Sequence, residues 1–510
     1  MLLCDILNSN VSTEAVKTFN KITPEQAGIS SRHVKKFIET LNRRGLVTHS
    51  VLMMKGTDIF AEYYWAPFTA DTCHRMYSQT KSYMAVAIGL LVEDGKLSLD
   101  DKMVDLFPEK VEREIPENLK EQTVRDMLTM STIGEPPYWF YHGNPDRTHL
   151  YINENNCRFP SGMRFKYDSP GSQVLSSLVE KLSGQSLFDF LYDRIFRHLG
   201  TFKTATILKC PNGDSWGDSA LVCTTRDMAS FGKFVMNYGE WEGKRIMNEA
   251  YLREATSKVV DNQENAFDDF YEQGYGYQIW RMPENAFSFN GMGAQHTLCF
   301  PDRDLTFVIT SDNQGYVPAK ALIFSAFYEI ILDNMQDAPL TEDEEAYREA
   351  IAVGDTLKLA AMSGNEPCEL YKELQGKTYF CEENKTGITE FSFRFEDENS
   401  GVFCYKNAQG EKELPFGIGY NIFGKFPQLG YSDEYGVTPT TNGFMYDCAA
   451  SAAFRDGNKL LLRVQIIDRY LGNMFARFTF KNGIASVTLT KTAEAFLDEY
   501  QGEFVARLKD

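Results

Sequence analysis

A serine and a lysine three residues apart, Ser78 and Lys81, open a long apolar run. From Tyr83 to Val92 the chain carries neither charge nor proline, and Gly95 follows. A run that is apolar all round predicts a buried helix, ended by a glycine that readily takes left-handed backbone. Ser78 and Lys81 then share one face of its first turn. The free N–H groups and the positive dipole end there favour an anionic oxygen and disfavour an ammonium ion. A partly desolvated lysine in that position releases its proton more readily and can then take one from the serine, the chemistry of an activated nucleophile. The same spacing also describes a capping serine beside a solvated lysine. The chain repeats it at Ser230 and Lys233, inside the helical pattern Thr225–Tyr238. Spacing alone does not choose between the two serines.

The elements that must position Ser78 follow from pattern. Residues 21–45 read as a capped helix, and His49–Met54 with Asp58–Tyr64 as a hairpin around Lys55-Gly56-Thr57. Short helices are expected at Leu97–Pro108 and Thr123–Met130. Residues 131–160 read as an irregular binding loop rich in aromatic and polar residues, in which Trp139 and Tyr141 are candidates to line a substrate pocket. Helices are expected at Ser172–Ser183, 187–199 and 226–238. Tyr275–Trp280, Phe287–Asn290, Thr297–Phe300 and Leu305–Ser311 alternate like antiparallel strands, with a tight turn at Gly291–Gln295. Ala319–Asn334 reads as a closing helix. Strands, then helices, then strands again predict an α+β domain whose sheet is built from both ends of its sequence. An acidic, proline-containing stretch near 335–345 places the boundary between domains 1–338 and 339–510. The second opens with a linking helix, Glu344–Met362, and continues as short strands, a β-rich barrel or sandwich.

Composition narrows the function classes. The chain has 510 residues, enough for two cores, and its 52 basic against 71 acidic residues give a net charge of −19. That charge argues against nucleic acid or an anionic membrane as partner. The ten cysteines are scattered without a C-x-x-C pair, so neither a metal site nor any cofactor is expected. The first ten residues lack the features of a secretion signal, and no apolar stretch is long enough to span a membrane, so a cytoplasmic location is expected.

Three motifs in order carry a resemblance. Ser78-Gln79-Thr80-Lys81 is similar to S-x-x-K, Tyr167-Asp168-Ser169 to Y-x-N, and Phe289-Asn290-Gly291 stands in the place of K-T-G or H-x-G. Over roughly residues 20–335 the chain resembles the serine β-lactamase and penicillin-binding-protein superfamily, in its class C-like esterase branch. The resemblance settles Ser78 over Ser230, which falls in a structural phrase of the family. It implies an antiparallel sheet flanked by helices and an acyl-enzyme formed on Ser78. Lys81 and Tyr167 would shuttle the proton, the tyrosine needing nearby positive charge because its ordinary pKa is about 10. The backbone N–H groups of Ser78 and Met292 would form an oxyanion hole. Substrate contacts are expected from Ser169, Asn290, Gly291 and His296, and from Trp216 and Asp218 on a loop that borders the cleft.

Two departures shape the expected substrate. Phe289 stands where the family keeps a lysine or histidine, so the usual cation for a substrate carboxylate is missing. Ser169 replaces the asparagine that contacts an acyl amide. Both argue for an esterase or amidase acting on a small-molecule acyl substrate, including D-amino-acid derivatives, with weak or no β-lactamase activity. An acyltransferase using the same acyl-enzyme and a non-catalytic penicillin-binding sensor are the alternatives. A lysine restored at Phe289 is expected to raise reactivity toward carboxylated β-lactams.

Overall fold

The computed structural model describes residues 19–509 apart from 133, 138–142, 264–269, 271, 432–440 and 495. The chain forms two compact units: the chain up to Asn313 with Pro318–Leu357, and Gln314–Val317 with the chain from Lys358 onward.

The first unit is built on a six-stranded antiparallel sheet. Its order is Asp58–Tyr64, Thr48–Lys55, Leu305–Ser311, Gln295–Phe300, Phe287–Gly291, Trp280–Arg281. The sheet thus joins strands from both ends of the unit's sequence, as the strand pattern predicts. Because both faces are covered, Leu305–Ser311 is buried along its whole length. Phe307 and Ile309 face the helices Ser31–Arg43 and Ala319–Ile330, while Val308 faces the other layer, as the two-residue period of a strand requires. Phe307 stacks on Phe327 with ring centroids 4.2 Å apart, and Phe37 meets both edge-on. On the opposite face the helix Thr80–Glu93 and the helix Thr225–Met236 bring Tyr83 and Phe231 into a stack at 3.9 Å. The Ser78 helix is therefore a core element, apolar all round because it is enclosed all round.

Three elements depart from the sequence pattern. The stretch read as an irregular loop contains a helix, Arg147–Glu154, opened by Asp146, whose carboxylate accepts from the His149 N–H. The strand expected over Tyr275–Trp280 contributes only Trp280–Arg281 to the sheet. Gln278 has a φ of +57°, which breaks the extended run there. The helix expected to run to Met362 ends at Gly354, and it does not belong to the second unit. Asp343 pairs with Arg32 and Glu349 with Lys35, at 3.0 and 2.8 Å. More weight falls on buried contacts: Ala346 and Ala350 are enclosed, and the Tyr63 hydroxyl donates to the Ala350 carbonyl at 3.0 Å. The Ala66 N–H then takes the Leu357 carbonyl. The unit closes at Leu357 and not at 338.

The second unit is a single meandering sheet of ten strands among the described residues. It closes on itself where Gly410–Ile418 lies parallel beside Thr441–Arg455, with Ile422–Tyr431 paired outside the ring, so the β-rich domain is a barrel. Its interior is aromatic: Phe393 meets Phe478 edge-on at 5.0 Å and stacks on Phe403 at 5.4 Å. Among the described residues no helix is long and apolar enough to cross a membrane, and no group of His, Cys, Asp and Glu is arranged to hold a metal ion.

The placement of the Glu344–Gly354 helix gives the first test. A chain cut after Leu357 should melt several degrees higher than one cut after Ala338, because only the longer one keeps the helix and its Tyr63 contact. Equal melting temperatures by calorimetry would contradict this assignment.

Candidate active site

Ser78 lies in a single tight turn, Tyr77–Gln79, that runs directly into the helix Thr80–Glu93. Tyr77 holds a φ of +48°, unusual for a residue with a side chain and worth about 1–3 kcal/mol of strain. The surroundings enforce it. The Arg75 guanidinium covers the Tyr77 ring at 4.5 Å, and the Met76 N–H donates to the Leu221 carbonyl at 2.7 Å. Gln79 Oε1 accepts from Thr297 Oγ1 at 2.8 Å, and Thr80 Oγ1 accepts from the Leu221 N–H at 3.0 Å. The side chains on either side of Ser78 are thus used up in anchoring the turn to the sheet and to the strand Leu221–Cys223. From His74 to Leu91 every residue is buried except Ser78, which is half-buried.

Lys81 is 1% exposed and donates to Ser78 Oγ at 3.0 Å and to the Asp218 carbonyl at 2.7 Å. Its Nζ also lies 3.6 Å from Asp218 Oδ2 and 5.3 Å from the centroid of the Tyr167 ring. That carboxylate comes from a loop 137 residues further along the chain. That partner had no local signal, because nothing between the two positions marks them as neighbours.

Tyr167 is positioned by its neighbour Asp168, which caps the helix Ser169–Ser183. The Asp168 carboxylate accepts from the Gly171 N–H at 2.9 Å, from Thr132 Oγ1 at 2.7 Å and from the Tyr151 hydroxyl at 3.1 Å. Burial pushes the Asp168 carboxyl above its ordinary range, and these three donors pull the other way. The Tyr167 ring itself lies parallel to Trp280, with centroids 6.0 Å apart. Ser169 is the first residue of the capped helix, half-buried beside them.

The third wall is the end of the strand Phe287–Gly291. Trp280–Arg281 reaches along this strand as far as Ser288 and Phe287, so past Ser288 no described strand covers that edge. At Gly291 a methyl group would sit 2.0 Å from the Met76 carbonyl, so only glycine lets the strand reach the turn that carries Ser78. Met292 comes next, 37% exposed, its carbonyl accepting from Gln295 Nε2 at 3.2 Å. Gly293 and Ala294 then turn the chain with φ of +77° and +69°.

Several expected contacts lie elsewhere. Phe289 faces the core, 5.8 Å from Phe231 and 6.2 Å from Tyr83. Asn290, its neighbour, necessarily faces the other side of the sheet. There it donates to Ser288 Oγ at 2.9 Å and is bonded to His296 Nδ1 at 2.7 Å. His296 is 2% exposed against Phe324, and burial, with the Lys320 ammonium, pushes its pKa down to about 3. Neither Asn290 nor His296 is on the face toward Ser78. Trp216 is fully buried between the guanidiniums of Arg75 and Arg147, at 4.2 and 4.7 Å, so it is a structural slab and not a substrate contact. Trp139 and Tyr141 lie outside the described residues. The second serine–lysine pair is spent on structure. Ser230 Oγ bonds Thr201 and the Asp227 carbonyl, while Lys233 bonds Asn237 and Asp304.

The position of Phe289 reverses one expectation. Phe289→Lys would drive an ammonium ion into the Tyr83–Phe231 cluster, which should destabilise the unit by several kcal/mol in urea unfolding, with no gain toward carboxylated β-lactams. Unchanged stability would show that residue 289 has access to the site after all. His296 gives a pH prediction. Its folded value of about 3 lies below the ordinary 6.5, so the stability it confers is complete above 6.5 and drains as pH falls toward 3. His296→Gln should flatten that part of the urea-midpoint profile.

A family model described as Beta-lactamase matches residues 31–324, more than half of the chain. The 6-aminohexanoate-dimer hydrolase of Paenarthrobacter ureafaciens is 22% identical over 306 residues, covering 56% of this chain and 78% of that protein. Penicillin-binding protein 4* of Bacillus subtilis is 27% identical over 192 residues, 34% of this chain and 41% of its own length. Among solved structures, a putative 6-aminohexanoate-dimer hydrolase from Bacillus anthracis superposes with a TM-score of 0.52 at 19% identity, covering 62% of this chain and 87% of that one.

Proposed function

We propose that this chain, which belongs to the beta-lactamase family, is a serine hydrolase that cleaves a small ester or amide through an acyl-enzyme on Ser78. One observation carries the reading. In a stretch otherwise closed to solvent, the single residue that reaches it is a serine whose hydroxyl accepts a hydrogen bond from a buried lysine, at 3.0 Å.

The steps follow from that placement. A substrate carbonyl enters beside the open edge past Ser288, and its carbon is attacked by Ser78 Oγ. The Ser78 proton passes to the group formed by Lys81 and Tyr167, which returns it to the leaving oxygen or nitrogen. The N–H groups of Ser78 and Met292, fixed relative to one another by the Gly291–Met76 contact, steady the oxyanion. Water then releases the acyl group by the reverse path. The likeness to a hydrolase of a 6-aminohexanoate dimer supports cleavage of an amide, with water as the acceptor. With Phe289 turned into the core, its strand offers no cation at that position to a substrate carboxylate, which supports a substrate without one there. Penicillins are expected to be poor substrates for that reason.

The test is intact mass and turnover with short-chain p-nitrophenyl esters and with a penicillin, for the wild type and for Ser78→Ala. Ester turnover should fall by at least about 10³-fold in Ser78→Ala, with loss of any covalent adduct. Turnover that survives the substitution would exclude Ser78 as nucleophile. A stable adduct without turnover would replace the hydrolase by a sensor.

A further inference from the structure

We propose that Gln278 is a positioning residue that fixes the distance between the helix carrying Ser78 and the segment carrying Tyr167. The inference rests on the acyl-enzyme reading of Ser78 and goes beyond it, because Gln278 belongs to none of the three motifs.

Its backbone is the first observation. Gln278 holds a φ of +57°, a region in which a side chain is strained, and it is 2% exposed. The neighbouring main chain enforces the turn. The Gly276 N–H donates to the Ile279 carbonyl at 2.8 Å, and the Tyr277 N–H to the Ala255 carbonyl at 3.0 Å. Glycine takes this conformation without strain. The reason for a buried amide there lies in its partners.

Those partners come from both walls of the site. The Gln278 carbonyl accepts from Ser82 Oγ at 2.7 Å, and Ser82 lies one helical turn beyond Ser78. Its side-chain Oε1 accepts from Ser172 Oγ at 2.9 Å, in the first turn of the helix that Asp168 caps. Nε2 donates to the carbonyls of Met127 and Leu128 at 2.8 and 3.1 Å, and the Gln278 N–H reaches the Leu128 carbonyl at 2.9 Å. Those two residues end the helix Val124–Leu128, and the chain leads from there to Met130. Met130 grips the Tyr167 segment on both sides. Its carbonyl accepts from the Lys166 N–H at 2.7 Å, and its Sδ from the Asp168 N–H at 2.9 Å. One residue thus ties the Ser78 helix to both supports of Tyr167.

The need to satisfy polar groups does not account for these bonds, because each partner of the Gln278 side chain has a second one. The Ser172 hydroxyl lies 3.0 Å from the Asp168 carbonyl, the Leu128 carbonyl keeps the Gln278 N–H, and the Met127 carbonyl takes the Met130 N–H at 3.3 Å. Removing the amide would leave none of them unpaired, so what the amide adds is distance and direction. A serine that attacks a carbonyl while passing its proton to a group on another element depends on that distance. A displacement of about 1 Å can cost about 100-fold in rate. Trp280, two residues on, lies against the Tyr167 ring, so the same turn also sets the neighbour of that ring. Gln278 acts only through Ser82, Ser172 and the stretch Met127–Met130.

Gln278→Gly separates positioning from turn formation, since it keeps the backbone, relieves the left-handed strain and removes only the amide. With the full chain and a p-nitrophenyl ester, the single-turnover rate of p-nitrophenol release should fall about 10–100-fold, while the half-saturating ester concentration changes less than about threefold. A wild-type rate would overturn the proposal, because a residue needed only for the turn is served as well by glycine. So would a loss confined to saturation. Ser172→Ala, which cuts the tie to one wall, should slow the same step, and joined to Gln278→Gly should cost little more than Gln278→Gly alone. Losses that multiply would make the two residues independent and overturn the link. If Gln278→Gly does not fold, Ser172→Ala decides alone, and a wild-type rate there overturns the proposal. A third readout needs no activity. Amide hydrogen exchange over residues 166–171 should be faster in Gln278→Gly than in the wild type, and equal exchange would overturn the tie itself. Absence of any acyl-enzyme in the wild type would instead sink the hydrolase reading and leave the exchange result standing.

Discussion

A lysine side chain closed to water needs its donors met, and much of the first unit's local architecture answers to that need. Lys81 draws three separate parts of the chain to one point: the turn that carries Ser78, the loop that ends in Asp218, and the segment of Tyr167. Each part is fixed by its own contacts. The turn is tied to Leu221 and Thr297, the loop to Arg75 and to the Ser169–Ser183 helix, and the tyrosine segment to the capped carboxylate of Asp168. Their shared result is a serine hydroxyl presented in one orientation, the preorganisation that the proposed role of Ser78 requires.

The sheet serves the same end from the other side. Both its faces are covered, and its short last strand leaves one length of backbone unpaired beside the serine. Unpaired N–H groups on a sheet edge are ordinarily a liability. Here the exposed length is brief, it ends in a tight turn, and it abuts the turn that carries Ser78. The strain at Tyr77 is tolerated because Arg75, itself stacked on Trp216, holds the ring in place.

The parts legible in the sequence were those set by local rules. The apolar run Tyr83–Val92 required a buried helix, and the alternating strands required a sheet from both ends of the unit. The order of the three motifs placed Ser78, Lys81 and Tyr167 in one site. The features hidden from the sequence depended on which face a side chain takes or on its partners in space. Phe289 and Asn290 are adjacent, so only one of them can face the nucleophile, and motif matching treats them as a pair. Trp216 and Asp218 are two residues apart on one loop, yet one is locked between guanidiniums and the other meets Lys81. The helix Arg147–Glu154 was concealed by its aromatic and polar surroundings, although Asp146 is an ordinary helix-opening residue. Distance along the chain explains the remaining gap, since 137 residues separate Lys81 from its carboxylate.

The contact between Gly291 and the Met76 carbonyl bears on how such a site can change over evolutionary time. With no clearance between the strand edge and the turn that carries Ser78, neither can be altered without moving the other. If Ser78 acts as proposed, variation in substrate range falls to the other side of the site, where surface loops tolerate replacement. The strand edge and the serine turn would then change only together, while the opposite wall could drift alone.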